Sequence, residues 1–315
     1  MDVYNQFVNP TTSLLSLYCN FVSKDEDNLI VSKGNLIQVF KIVDVSSKFD
    51  SIKDEKIDLS GYHAISEENY KLILVTEYTL NGIILDMHRF RTTGENVDYL
   101  LISTEPAKIS LVKWNPADFT VSVVSLHYYE TVLNSLLMEK LKDSVVSHRT
   151  DPNFGCSIMQ VEDLVVFLPF VQVDHDMELN DDYDPLENSD KTNELSKNDL
   201  FEESFIVNAS TLHHGLKNIV DIQFLNSYRS PTLAILYAPD SETWAGYLPK
   251  RKDNLKLIVL SLHLKEKSAN VIIEINSLPY DLYRIVPLDD PINGLLIVGA
   301  NEIIHINSLG SPKGI

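Results

Sequence analysis

The sequence predicts an all-β protein, an incomplete β-propeller of about four to five blades with four antiparallel strands each. Short apolar runs rich in β-branched residues alternate with turn-forming residues along the 315-residue chain, a pattern typical of antiparallel strands. Four such runs lie between positions 82 and 126, and four strands in about 45 residues is the size of one propeller blade. Each predicted sheet is apolar on both faces, so it must stack between neighbouring sheets.

The first half of the chain predicts two sheets and one helix. The first sheet has strands at 14–21, 29–31, 36–43 and 71–79. The second has strands at 82–90, 99–103, 108–114 and 120–126. Residues 131–141 then place four leucines at helical spacing and predict one short helix, which either packs on the strands or binds a partner.

The second half predicts further sheets, one of which carries an acidic insertion. The third sheet has a hairpin at 156–160 and 164–170 and a further strand at 205–210. Residues 171–204 hold twelve acidic residues and two lysines, a net charge of −10, and predict a disordered loop inserted within this blade. The fourth sheet has strands at 218–225, 231–237, 255–264 and 270–277, and three runs at 282–288, 295–298 and 303–306 begin a fifth.

Composition excludes several classes of protein. The net charge of −19 repels phosphates and disfavours unaided nucleic-acid binding by the surface as a whole. The longest apolar run, at 164–171, has eight residues and contains a proline, so no membrane span is predicted. The first residues lack the basic and apolar regions of a secretory signal. Cys19 and Cys156 form no CxxC motif, which predicts a reducing compartment.

The sequence shows no motif for catalysis or cofactor binding. The eleven glycines form neither GxGxxG nor GxxxxGK[ST], and no GxSxG element marks a serine nucleophile. The pair His213 and His214 has no acid or cysteine at ligand spacing, and Asp174-His175-Asp176 lies in the solvated acidic insertion. We therefore predict a protein that is not an enzyme, with no cofactor, no metal and no small-molecule substrate. A propeller hydrolase is the remote alternative, because geometry is needed to identify paired carboxylates.

Aromatic and basic residues outside the predicted strands are candidates for contact with partner proteins. Trp244 and Tyr247 form an aromatic pair in the long connection after residue 237, and this pair either caps a propeller face or anchors a partner. Lys250-Arg251-Lys252 directly follows this pair and is the only run of three basic residues in the sequence. It either contacts a partner or is a solvated loop. The candidate partner-facing residues are Tyr128, Tyr129, Trp244, Tyr247, Lys250, Arg251 and Lys252.

Hydroxyl residues within the acidic insertion are candidate phosphorylation sites. Ser189 and Ser196, together with Thr192, lie among acidic residues, the environment that an acid-directed kinase recognises. We predict phosphorylation there.

Several motifs keep one order across nearly the whole chain, and they are distinctive as a set. The most specific pair is Asn-Ile-Val-Asp-Ile-Gln-Phe-Leu at 218–225 followed by Pro-Thr-Leu-Ala-Ile-Leu-Tyr at 231–237. The others are Leu-His-Tyr-Tyr-Glu at 126–130, Arg-Thr-Asp-Pro at 149–152, Val-Phe-Leu-Pro-Phe at 166–170, Leu-Pro-Tyr-Asp-Leu at 278–282 and Ile-Val-Gly-Ala-Asn-Glu at 297–302. Through these motifs the chain resembles the N-terminal part of the large propeller subunit of the cleavage and polyadenylation specificity factor, in its budding-yeast-type version.

The resemblance implies a nuclear scaffold of three propellers, of which this is the first, in the machinery of pre-mRNA 3′-end formation. It implies partnership with a WD-repeat subunit and a CCCH zinc-finger subunit, which do most of the signal reading, so that pre-mRNA is contacted weakly or indirectly. The alternatives within the same architecture are a ubiquitin-ligase adaptor, such as the large damaged-DNA-binding subunit, and a splicing-factor subunit. Residues 126–130 and 244–248 favour the polyadenylation branch.

We predict that the 315 residues made alone are poorly soluble or partly unfolded. The strand count suggests four blades and part of a fifth, members of the family are far longer, and propellers close with typically 4–8 blades. An open stack would leave apolar sheet faces in water. A thermal melt followed by circular dichroism should therefore be broad, and a sharp, cooperative melt would contradict the prediction.

Overall fold

A computed structural model describes residues 11–44, 70–92, 97–138, 140–171, 200–239 and 252–314. Within these residues the chain forms twenty β-strands in five four-stranded antiparallel sheets, together with two short α-helices. The strands of every sheet follow one another in chain order, as a meander. Sheets 1 and 2 belong to a first compact unit, Met1–Leu133, and sheets 3 to 5 to a second, Asn134–Ile315. The all-β prediction is confirmed.

The first unit contains the eight predicted strands, each with ends within two residues of the prediction. Sheet 1 consists of β1 (Leu15–Cys19), β2 (Asn28–Lys33), β3 (Leu36–Asp44) and β4 (Tyr70–Thr79). Sheet 2 consists of β5 (Ile84–Phe90), β6 (Tyr99–Thr104), β7 (Lys108–Asn115) and β8 (Thr120–Tyr128). The two sheets share an apolar core, to which both contribute fully buried side chains, among them Ile30, Ile37, Val39, Leu100 and Ile102.

A helical segment follows β8 but is shorter than the predicted span of 131–141. Helix α1 (Glu130–Leu136) ends before Met138, which has a left-handed φ of 52°, and the chain continues as a 3₁₀ turn at Lys140–Asp143. Leu133 and Leu141 are buried, whereas Leu136 is exposed. The helical spacing therefore identified the segment, and the break at Met138 limits its length because a left-handed residue cannot continue a right-handed helix.

The second unit contains three sheets. Sheet 3 consists of β9 (Val146–Thr150), β10 (Cys156–Val161), β11 (Leu164–Pro169) and β12 (Phe205–Asn208), and helix α2 (Ala209–Leu212) follows it. Sheet 4 consists of β13 (Ile219–Phe224), β14 (Thr232–Tyr237), β15 (Leu255–His263) and β16 (Ser268–Leu278). Sheet 5 consists of β17 (Leu282–Pro287), β18 (Leu295–Gly299), β19 (Ile303–Ile306) and β20 (Pro312–Gly314).

Strands β9 and β20 are not evident in the apolar pattern. Strand β9 is mostly polar, yet His148 at its centre is fully buried, with its Nε2 atom 2.6 Å from the Ser157 hydroxyl of β10. Strand β20 has exposed side chains and pairs with β19 through its backbone, with Pro312 at its first position, where a missing N–H is tolerated. The expectation of only part of a fifth blade is thereby corrected, because sheet 5 has all four strands.

The acidic insertion begins at the end of β11, and residues 172–199 within it lie outside the described residues. On either side of them, Phe170 and Phe201 form an antiparallel bridge, and their rings meet edge to face with centroids 5.5 Å apart. The insertion therefore leaves and re-enters sheet 3 at one paired point.

Sheet 4 is buried on both faces, as the sequence predicts. Leu233 and Ile235 of β14 belong to the apolar core shared with sheet 3. The alternating residues Ala234 and Leu236 belong to the core shared with sheet 5. All four side chains are fully buried, and successive strand residues face opposite sides of a sheet. One continuous apolar strand thus serves two interfaces.

A polar link joins the first strands of the three sheets. Asp221 of β13 follows a bulge in the pairing with β14, and its Oδ2 atom accepts a 2.7 Å hydrogen bond from the backbone N–H of Ile285 in β17. Its Oδ1 atom accepts from the N–H of Ile222 at 2.9 Å and lies 3.6 Å from Nη2 of Arg149 in β9. Asp86 of β5 follows a similar bulge and accepts from the N–H of Met87, so Asp86 and Asp221 share one local geometry.

We predict that Asp221→Ala lowers the free energy of unfolding by about 1–3 kcal/mol, because the N–H of buried Ile285 loses its acceptor. Asp221→Asn is the matched variant: it keeps an acceptor oxygen, loses the charge opposite Arg149, and should be less destabilising. Urea denaturation followed by circular dichroism measures both. A change below about 0.5 kcal/mol for the alanine variant would contradict the structural role of this link.

Candidate functional site

The described residues hold no cluster suited to metal binding. No group of three or more His, Cys, Asp or Glu side chains comes together in the part of the chain that the structure describes. His213 is half-buried at the end of α2, and its neighbour His214 is exposed. Asp174-His175-Asp176 lies outside the described residues. No helix among the residues with described structure is long and apolar enough to cross a membrane.

The two predicted partner-facing tyrosines lie in different environments. Tyr128, the last residue of β8, is 66 % exposed, whereas Tyr129 is only 6 % exposed. The backbone explains the difference, because the Tyr129 N–H donates to the carbonyl of Ala107 and its carbonyl accepts from Leu133 in α1, at 3.0 and 2.9 Å. Tyr129 is therefore held at the junction of strand and helix, and only Tyr128 presents its ring to solvent.

The other sequence-predicted site residues lie mainly outside the described part of the chain. Lys252 is described and exposed, and its carbonyl accepts a 2.8 Å hydrogen bond from the N–H of Tyr280. The residues that lie outside the described ranges are Trp244, Tyr247, Lys250, Arg251, Ser189, Thr192 and Ser196.

The outermost strands of the sheets expose apolar side chains. In β4, Leu72, Ile73 and Leu74 are consecutive and each is nearly half exposed, and in β16 Val271 and Ile272 are similarly exposed. Each of these strands is the last of its sheet and pairs with one neighbour among the described residues, so no described strand occupies the backbone groups of its outer edge. Such edges are typical places for a partner chain to bind.

The first unit also contains a cleft of about 600 Å³ at one end of sheet 2. Its walls come from Val22 after β1, from residues 97–99 at the start of β6, from residues 113–116 at the end of β7, and from Ser122 of β8. The volume falls within the ~300–1,000 Å³ range of ligand sites. Apolar wall is supplied by Val22, Val97, Tyr99, Trp114 and Pro116.

The carboxylate of Asp98, also in the lining, is fully engaged. Its Oδ1 atom accepts a 2.7 Å hydrogen bond from Nε of Arg91, and its Oδ2 atom accepts from the backbone N–H of Asn20 at 2.9 Å. Asp98 is only 1 % exposed. Burial, reinforced by this carboxylate, raises the pKa of the nearby Cys19 thiol to about 12, so that this cysteine stays protonated at neutral pH. Arg91 therefore compensates the charge of Asp98, and the hydrogen bond from Asn20 to Asp98 holds the connection after β1 against sheet 2.

Asp151, from the Arg-Thr-Asp-Pro motif, is a buried carboxyl in the turn between β9 and β10. Its Oδ2 atom accepts a 2.9 Å hydrogen bond from the N–H of Gly155. A Cβ atom at Gly155 would lie 2.5 Å from Cγ of Pro231, so the turn packs tightly on sheet 4. Burial raises the pKa of Asp151 above its usual 3.8, although hydrogen bonds from Gly155 and Asn153 partly offset this effect. The motif is thus explained by packing within the second unit.

The raised pKa of Asp151 predicts a pH dependence of stability. The folded state holds the proton more tightly than the unfolded state, so this contribution to stability is fully present below pH 3.8 and is lost as the pH rises through the folded-state pKa. Asp151→Asn removes the charge and keeps an acceptor for Gly155. The variant should gain stability relative to the parent as the pH rises from about 3 to about 7, measured by urea denaturation.

Asp25→Asn is the control for this experiment, because Asp25 is exposed in the turn after β1. Its stability relative to the parent should change little over the same pH range. A difference between Asp151→Asn and the parent that stays constant with pH would contradict the prediction.

The cleft was not visible in the sequence. Trp114 reads as an ordinary core residue of an alternating strand, and residues 115 and 116 read only as a turn signal. Val22 and Trp114 are more than 90 positions apart, so no local pattern could bring them to one wall. The sheet packing does this instead.

Comparison with known proteins gives agreement along the whole chain. The family described as "RSE1/DDB1/CPSF1 first beta-propeller" matches residues 15–314. A protein named CFT1 from Debaryomyces hansenii is 38 % identical over 99 % of this chain, and one from Candida albicans is 36 % identical over 100 %. Protein cft1 from Schizosaccharomyces pombe is 30 % identical over 99 %. This chain spans 23 %, 23 % and 22 % of the lengths of these three relatives.

Proposed function

The chain belongs to the RSE1/DDB1/CPSF1 first β-propeller family, and from this membership we propose that it is a nuclear, non-enzymatic subunit of the machinery for pre-mRNA cleavage and polyadenylation. The observation that carries the proposal is the similarity to proteins named CFT1 over essentially all of the chain. The large subunit of the cleavage and polyadenylation specificity factor, which the motifs resemble, is the corresponding scaffold.

A scaffold role agrees with the exposed features of both units. Binding partner proteins requires exposed apolar surface and accessible backbone edges, and β4 and β16 supply both. Tyr128 adds an exposed aromatic ring of the type that is enriched at interfaces. The proposed partners are a WD-repeat subunit and a CCCH zinc-finger subunit. Contact with pre-mRNA is proposed to be indirect or weak, since the net charge is −19.

Two alternatives share the architecture. The family description includes RSE1 and DDB1 beside CPSF1, so membership alone is compatible with a splicing-factor subunit or a ubiquitin-ligase adaptor. The identities of up to 38 % to proteins named CFT1 favour the polyadenylation branch.

Affinity purification of the tagged chain from nuclei, followed by mass spectrometry, tests the proposal. We expect recovery of cleavage and polyadenylation subunits, including the WD-repeat and CCCH zinc-finger proteins. Recovery of a cullin ligase or a splicing complex in their place would overturn it.

A pair of tyrosine variants sharpens the same experiment. Tyr128→Ala should lower the recovery of partners by about fivefold or more if this ring is an interface anchor. Tyr283→Ala is the matched control, because Tyr283 is also an exposed strand tyrosine but lies in sheet 5. Equal recovery with both variants would remove Tyr128 from the proposed interface and leave the proposed complex unaffected.

A further inference from the structure

We propose that the cleft at the end of sheet 2 is a docking site for an extended peptide segment of a partner protein, one that carries an aromatic or aliphatic side chain beside a single carboxylate. The described residues that line the cleft all belong to the first unit, and its walls are predominantly apolar. The proposal depends on three features, namely the apolar walls of the cleft, the exposed ring of Phe119, and the ammonium group of Lys113, which forms no ion pair with a described residue.

Phe119 is exposed where a buried ring would be expected. It ends the turn between β7 and β8, its side chain is 72 % exposed, and its ring meets Trp114 edge to face at 6.3 Å. Its φ of 51° lies in the left-handed region, which is unusual for a bulky residue. Neither burial nor backbone preference explains a phenylalanine here. Phe119 does not itself line the cleft, but its ring contacts Trp114, which does, and a side chain bound beside Trp114 would cover it.

The charges around the cleft select the chemistry of the ligand. Arg91 compensates the buried carboxylate of Asp98, and the exposed carboxylate of Asp118 accepts a 2.8 Å hydrogen bond from Nδ2 of Asn115. Lys113 lines the cleft, is exposed, and has no acid within ion-pairing distance among the described residues. One free ammonium group beside an apolar wall complements one carboxylate beside an apolar side chain.

A peptide fits these features better than a nucleic acid does. Aromatic residues with a lysine are also typical of sites that bind single-stranded nucleic acids. A strand of RNA, however, would bring several phosphates towards one lysine and towards the carboxylate of Asp118, in a chain with a net charge of −19. Trp114 is also largely buried, so its ring presents little face for a base to stack on. RNA is therefore an outcome of the test that would overturn the proposal.

The test measures binding of fluorescent peptides to the full chain, fused to a soluble carrier protein, by fluorescence anisotropy. The probes are a library of peptides about nine residues long, each with one Phe, Tyr or Leu, one Asp or Glu, and Ser or Gly elsewhere. A matched library replaces Asp and Glu by Lys, and the carrier alone is the blank. We expect binding from the acidic library and at least tenfold weaker binding from the lysine library.

Two exposed-site variants assign the binding to the cleft. Lys113→Glu and Phe119→Ala should each raise the dissociation constant about tenfold, because each removes an exposed group that the bound peptide would contact. Lys33→Glu and Ile83→Ala are the matched controls. Lys33 is the last residue of β2, at the end of sheet 1 away from Val22, and Ile83 is exposed in the connection before β5. Both should bind as the parent does. Near-UV circular dichroism checks that all variants keep the parent fold.

Three results would overturn the proposal. These are no binding above the carrier blank, a dissociation constant that Lys113→Glu and Phe119→Ala leave unchanged, and stronger binding of a short single-stranded RNA than of any peptide. The proposal does not depend on the machinery in which the chain acts. Failure of the nuclear purification and failure of peptide binding are therefore separate outcomes.

Discussion

The carboxylate of Asp221 connects the first strands of three successive sheets, and the alignment of the second unit depends on it. Both oxygens are used, one for the N–H of Ile285 and the other for the N–H of Ile222 with Arg149 nearby. Apolar packing between sheets is strong but non-directional, so it permits neighbouring sheets to slide. A charge-assisted hydrogen bond to one backbone N–H has a defined length and direction. It therefore selects one alignment among those that packing alone would allow.

The sheets of the second unit stack because some of their strands have no polar face. In β14 the residues facing sheet 3 and those facing sheet 5 are equally buried, so sheet 4 has no stable form outside the stack. Some polar residues that enter the interior are paired, as His148 is with Ser157 and Asp98 is with Arg91. An unpaired group in these positions would lose its hydration without compensation. These paired polar side chains therefore stabilise the packing of the sheets.

The proposed function concerns the surfaces of the chain. Leu72 and Val271 lie on last strands of their sheets, where no further strand covers them within the described residues, and their exposure follows from that position. The cleft beside Phe119 arises differently, because it lies where connections between strands meet at the end of a sheet. Strand edges offer backbone hydrogen bonds to any extended chain, whereas a cleft with a defined charge discriminates between partners. The proposed scaffold role would use both kinds of contact.

The sequence by itself determined the sheets, because runs of β-branched residues between turn formers depend on local preference and on the period of a strand. Strands β9 and β20 required the tertiary structure, since a polar strand with a buried histidine and a three-residue edge strand are stabilised by their neighbours. The exposure of Tyr128 beside buried Tyr129, and the meeting of Val22 with Trp114 in one cleft, were likewise decided only by the tertiary structure. Local patterns specify which residues face inward, but contacts between residues distant in sequence decide which residues share a site.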